Sequence, residues 1–132
     1  MMQILQPPEW ARPRGFSNGI VVHGGKTVYI AGQVGWLGDG RFAVNTFAGQ
    51  FRQALENIIA VLAEAGGRPE HLVRMTWYVL DREEYLGALK EVGAAWRELI
   101  GKHFPAMTVV GVSALIEPGA RLEIEATAVV PD

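Results

Sequence analysis

The segment "RLEIEATAVV", residues 121–130, carries two glutamates separated by one residue. Read as a strand, it turns Leu122, Ile124, Ala126, Ala128 and Val130 to one face. Arg121, Glu123, Glu125, Thr127 and Val129 then lie on the other, because side chains alternate across a pleated strand. Glu123 and Glu125 therefore share a face, about 6.6 Å apart along the chain. A carboxylate so placed can take a proton from water, or it can hold a cation. The simplest account is a solvated strand face. If something covers that face the account changes, because an unpaired buried carboxylate is costly and must be paired, protonated or functional.

Other chemistries find less support. His23, His71 and His103 fall in separate segments with no H-x-x-x-H spacing, and the chain has no cysteine, so no metal site is expected. "GGK" at 24–26 precedes a strand-like run and not a helix, so it reads as a turn and not as a phosphate loop. Ser17 and Ser113 lack a G-x-S-x-G setting. Trp77 and Trp96 fall on apolar stripes and read as core; Trp36, in a glycine-rich loop, reads as surface packing or interface more than as a stacking platform.

Composition sets the frame for these residues. A chain of 132 residues with 49% hydrophobic and 20% charged content suits one folded domain, residues 1–132. The formal net charge of −2, with scattered Lys and Arg, speaks against a nucleic-acid partner. The start "MMQILQPPEW" has neither the basic nor the apolar region of a signal peptide, and no run approaches the ~20 apolar residues of a membrane span. No membrane partner and a cytoplasmic location are the plain expectations.

Residues 1–18 are proline-rich and predict an extended arm. "IVVH" and "TVYIAGQ" flank His23-Gly24-Gly25-Lys26, which predicts a hairpin. A loop follows over "VGWLGDGRF". Asn45 or Thr46 caps a helix in which Phe51, Leu55, Ile58, Ile59 and Leu62 form one stripe, closed by Gly66-Gly67. "HLVRMTWYVL" predicts a strand. Asp81 caps a second helix with a stripe of Tyr85, Leu89, Val92, Trp96 and Leu99. "MTVVGVSALI" and "RLEIEATAVV" are expected as strands joined across Glu117-Pro118-Gly119-Ala120.

The predicted order, β-β-α-β-α-β-β, places both helices on one face of a mixed sheet in an α/β (α+β) domain. The opposite face then has no cover from this chain. Yet "MTVVGVSALI" is apolar at both parities, so a second copy of the chain is expected to cover it.

"VYIAGQVG", "FRQALENIIAVLAEAGG", "VRMTWYVLD", "HFPAMTVVGVSAL" and "LEIEATAVV" together resemble the RidA/YjgF (Rid) family, in one register from about Gly15 to Val130. The resemblance implies a chorismate-mutase-like fold and a homotrimer whose sheets form a central barrel, with small-metabolite clefts between subunits. The best-known members hydrolyse enamines and imines of the 2-aminoacrylate type to the 2-keto acid and ammonia. They need neither cofactor nor metal. It also implies a role for Glu123, at the position of the glutamate that holds or deprotonates the attacking water. Ala31 and Gly32 stand where the family has Ser-Gly, with a backbone N–H near Gly32 offered to an anionic group.

The sequence departs from that pattern at two positions. After "FPA" the deaminating members carry an arginine that grips the substrate carboxylate; here it is Met107, which fills apolar space but has no charge. Loss of one partner of a buried charge pair costs about 2–5 kcal/mol, or roughly 30-fold to several-thousand-fold in recognition. Phe16 replaces the tyrosine of the family's "GPYS". Arg14, beside Phe16, is the candidate substitute cation. Glu125 is expected to pair with an arginine of a neighbouring subunit.

If the last two strands are antiparallel neighbours, Met107 and Glu123 lie on the order of 20 Å apart, so one pocket would draw them from different subunits. Two readings remain: a hydrolase of an enamine or imine with an altered substrate grip, and a non-catalytic trimer that binds a small metabolite as a sensor or accessory protein. Links of some members to RNA cleavage or translation control rank below both, for want of a basic stripe.

Overall fold

Leu122–Val130 is a strand whose even-numbered residues are all buried while the odd-numbered ones are not. Its partners extend that division of faces across a four-stranded sheet. The computed structural model describes residues 2–132. It comprises β1 (Met2–Leu5), β2 (Gly19–Val22), β3 (Lys26–Gln33), α1 (Phe47–Ala63), β4 (Leu72–Val79), α2 (Arg82–Gly87), α3 (Leu89–Leu99), β5 (Ala106–Gly111) and β6 (Leu122–Val130). The main sheet has the order β3-β6-β4-β5, with β4 and β5 parallel and β6 antiparallel to both of its neighbours.

The helices cover the even face of β6. Thr46 caps α1 by accepting from the Gly49 N–H, and Phe51, Leu55, Ile58 and Leu62 are fully buried against Ile30, Met75, Trp77, Leu122 and Ile124. Full burial of each such side chain contributes about 1.5–3 kcal/mol, enough for one helix stripe to hold the layers together. The helix stops where Gly66 takes a φ of 75° and the Gly67 N–H returns to the Leu62 carbonyl. Ile59, at the border of the stripe, is only half-buried.

Four sequence expectations need correction. The N-terminal arm is not extended throughout, since Met2–Leu5 forms β1 and pairs antiparallel with β2. The turn at Gly24-Gly25 exists, with φ of 74° and 82°, but β2 and β3 belong to different sheets, so it is not a hairpin. The second helix breaks at Ala88 (φ −107°, ψ 8°) into α2 and α3, which leaves Leu89 48% exposed instead of buried. Asp81 does cap its start, accepting from the N–H groups of Glu83 and Glu84.

The fourth correction concerns the last two strands. β5 ends at Gly111 and does not continue through Ile116. Being an edge strand it is paired on one side only, and after the Val112 N–H bonds to Val79 O the chain leaves the sheet. β4 lies between β5 and β6, so the two are not joined neighbours.

Candidate functional site

The uncovered face of the sheet carries Thr27 and Tyr29 of β3, Thr76 and Tyr78 of β4, Thr108 and Val110 of β5, and Glu123 and Glu125 of β6. Because β6 is an interior strand, both glutamates stand mid-sheet. Tyr78 is Glu123's register partner, yet its hydroxyl reaches diagonally and donates to Glu125 Oε1 at 2.8 Å. That bond is the main reason the Tyr78 phenol is held above its usual range; lost solvation and the nearby carboxylate charges act in the same direction. Within its own chain Glu125 is thus held by a tyrosine.

Glu123 differs. Among the described residues it has no hydrogen-bond or ion-pair partner. Its carboxylate lies over Gly32, where an added Cβ would overlap Glu123 Oε2 and stand 2.9 Å from Cδ. The β3–β6 register shifts between Ile30 and Gln33, so Ala31 and Gly32 fall outside the ladder in a bulge that brings the backbone up to the glutamate. Ala31 is exposed, with its carbonyl accepting from Gln33 Nε2 at 3.2 Å. Beside the carboxylates is a hollow of about 300 Å³ walled by Tyr78, Val112, Leu115 and Ile116. Ile116 is 96% exposed and Tyr29 81% exposed, so large apolar groups flank the acids.

Met107 faces the other way. It pairs with Met75, which is fully buried, and it packs against the core under the helices. Measured along β4, Met75 and Tyr78 are three residues apart, and two strand spacings separate β5 from β6. Met107 and Glu123 are therefore about 14 Å apart and not 20 Å, because β4 intervenes. They lie on opposite faces, so within one chain they share no pocket.

Met107 lines a second cavity, of about 350 Å³, with Trp77, Tyr85, Trp96 and Phe104. Arg14 and Gly15 close one side of it. The arm reaches this point because Ser17 is tied to the start of β5: its Oγ donates to Phe104 O at 2.5 Å and its N–H to Pro105 O at 3.0 Å. Phe16, between Arg14 and Ser17, is half-buried.

The residues singled out in the sequence thus sort into two groups, Glu123 with Ala31 and Gly32 on the open face, and Met107 with Arg14 at the helix side of β5, while Phe16 follows in the arm and does not line that cavity. Residues of equal weight were missed. Tyr78 carries no local signal beyond its strand, and its place opposite Glu123 follows only from the register. Arg97 and Lys102 also line the Met107 cavity, and nothing local in the sequence signals it. Among the described residues no group of three His, Cys, Asp or Glu side chains could hold a metal ion. No helix among them is long and apolar enough to cross a membrane.

The fold defines a class of small α+β proteins in which helices cover one face of a mixed sheet and leave the other without cover from the chain itself. Residues 11–130 match the family described as Endoribonuclease L-PSP, and the chain belongs to that family, the RidA/YjgF (Rid) family. A Rid-family protein of unknown function, YyfB from Yersinia pestis, superposes with a TM-score of 0.86 at 30% identity, covering 98% of each chain. Protein mmf2 of Schizosaccharomyces pombe is 32% identical over 81% of this chain and 82% of its own length. A protein of Dermatophagoides farinae named 2-iminobutanoate/2-iminopropanoate deaminase is 28% identical over 97% of this chain and 96% of its own.

Proposed function

We propose that the protein is a Rid-type hydrolase of an enamine or imine, working in clefts where copies of the chain meet as a homotrimer. The observation that carries this reading is the Glu123 carboxylate, free of any partner among the described residues and set over the Gly32 backbone on an uncovered sheet face. The name of the mite relative supports the same reaction class. Exposed Tyr29, Val110 and Ile116 on the face around the glutamates favour cover by another copy. Such a copy would bring its Met107–Arg14 group against Glu123, uniting two half-sites that a single chain holds apart.

In the reaction, a water held by Glu123 attacks the carbon of the C=N bond. Glu123 accepts a proton from that water and returns it to nitrogen, the carbinolamine collapses, and the products are the carbonyl compound and ammonia. An enamine first takes a proton at carbon and gives one up from nitrogen to become the imine. Only protons and one water move, so the chemistry asks for no cofactor. General acid–base help of this kind is worth about 10²–10⁴-fold.

The test is hydrolysis of a panel of imines by the wild type and by Glu123→Gln. A loss of at least about 100-fold is expected. Unchanged rates across the panel, with ligand-induced melting shifts retained, would establish the second reading, a metabolite-binding trimer. Met107 favours that reading, since it offers no charge to a substrate carboxylate. Light scattering should give three times the 14.4 kDa chain mass. A stable monomer would overturn the intersubunit cleft.

A further inference from the structure

The cavity beneath the helices is lined by aromatic rings and by cations. Its wall is aromatic: Trp77 and Trp96 meet with ring centroids 5.9 Å apart, Phe104 stacks on Trp96 at 6.4 Å and 12°, and Tyr85 closes the side towards α2. Burial pushes the Tyr85 phenol up, so it stays neutral and adds no negative charge. Arg14, Arg97 and Lys102 also line the cavity, and no carboxylate does. Among the described residues none of these three cations has an ion-pair or side-chain hydrogen-bond partner. They come from different parts of the chain: the arm, the last turn of α3, and the loop before β5.

We propose that this cavity binds a ring-bearing monocarboxylate, and that the compound hydrolysed is the imine of an aromatic amino acid. This rests on the hydrolase reading above and names its substrate class. A volume of about 350 Å³ is within the range of pockets that enclose a small organic ligand. A three-carbon imino acid would leave most of it to water. A phenyl or indolyl ring occupies more of it, against the partly buried Tyr85, Phe104 and Met107. It also meets the small open edges of Trp77 and Trp96, which are 4% and 6% exposed, where edge contacts between rings add to the area buried. With the ring inside, the carboxylate meets the exposed cations. The imine carbon, bonded to that carboxylate, is then held at the rim, where a partner copy's Glu123 can reach it. Met107 becomes part of the apolar wall, and the guanidinium that its position lacks is supplied from α3 and the arm.

The test is calorimetric titration of the intact protein with 3-phenylpropionate, its neutral amide 3-phenylpropanamide, and propionate. The aromatic acid should bind at least tenfold more tightly than either comparator. In the triple variant Arg14→Gln/Arg97→Gln/Lys102→Gln its advantage over the amide should disappear while the amide's own affinity holds. All three positions are exposed and unpaired, so the variant is expected to fold, and a melting curve checks this. Equal affinity for acid and amide, propionate binding as tightly as the aromatic acid, or a triple variant that keeps the acid preference would each overturn the proposal. Binding is read without turnover, so the two readings fail separately. Glu123-dependent hydrolysis of small imines without aromatic-acid binding sinks the substrate class alone. Aromatic-acid binding without Glu123-dependent hydrolysis sinks the enzyme alone.

Discussion

Replacing Gly32 with alanine separates folding from chemistry at the proposed site. Gly32 does not have the positive φ that would make a side chain strained, so the backbone accepts alanine. The new Cβ would overlap Glu123 Oε2, stand 2.9 Å from its Cδ and 3.1 Å from its Cγ. Carbon atoms rest comfortably at about 3.5–4.0 Å, so the carboxylate must retreat by on the order of 1 Å. The atoms that give way are the far end of a flexible side chain with no partner to lose. An off-rotamer adjustment costs about 0.5–1.5 kcal/mol, so urea melts should move only slightly. Chemistry is less forgiving, since a displacement of about 1 Å at a reacting group can lower the rate on the order of 100-fold. The assay pairs those melts with hydrolysis of the imine of phenylalanine, generated in situ by an amino-acid oxidase and followed as 2-keto acid. A folded Gly32→Ala protein within threefold of wild-type kcat would refute the assignment of water activation to Glu123 at this place.

Met107→Arg should raise kcat/KM for 2-iminopropanoate at least tenfold by supplying a charge partner for its carboxylate; no gain in steady-state assays would mean the small substrate is gripped elsewhere. Gln50 is 1% exposed, donates to Val44 O at 3.1 Å and Gly119 O at 3.0 Å, and accepts from Arg121 N at 2.9 Å. Gln50→Leu leaves those backbone groups unsatisfied at about 1–3 kcal/mol each, so denaturant melts should show a loss of about 3 kcal/mol or more, and under 1 kcal/mol would contradict the geometry. The raised phenol pKa of Tyr78 makes the protonated form the favoured one in the fold, so its contribution is complete below the ordinary tyrosine pKa and is lost as pH rises through the folded value. Glu125→Gln removes the main cause and should lower that midpoint in an ultraviolet titration compared against Tyr78→Phe; an unmoved midpoint would show that the carboxylate is not responsible.

How much of this was legible in the sequence depended on the range of the cause. The two faces of β6 followed from a period of two within nine residues, and every even-numbered position is buried as that period requires. Thr46 and Asp81 as caps, and the Gly66 stop, are likewise local, set by which side chain can reach a free N–H and which residue accepts a positive φ. β1 was missed because MQIL has no partner until Gly19–Val22 comes back to pair with it. The break at Ala88 was missed because the apolar spacing runs through it without interruption.

The sequence by itself determined that Glu123 and Glu125 share a face, that helices cover the opposite one, and that Met107 brings no charge to its position. Only the tertiary structure decided that β6 enters between β3 and β4, which sets Tyr78 against Glu125 and Gly32 beneath Glu123. It also decided that Met107 faces away from Glu123, and that Arg14, Arg97 and Lys102, up to 88 positions apart, surround one aromatic hollow. The physical reason is one of distance along the chain. Alternation and capping are satisfied among neighbours, whereas register, facing and the convergence of charges are settled only when remote segments compete for the same partners.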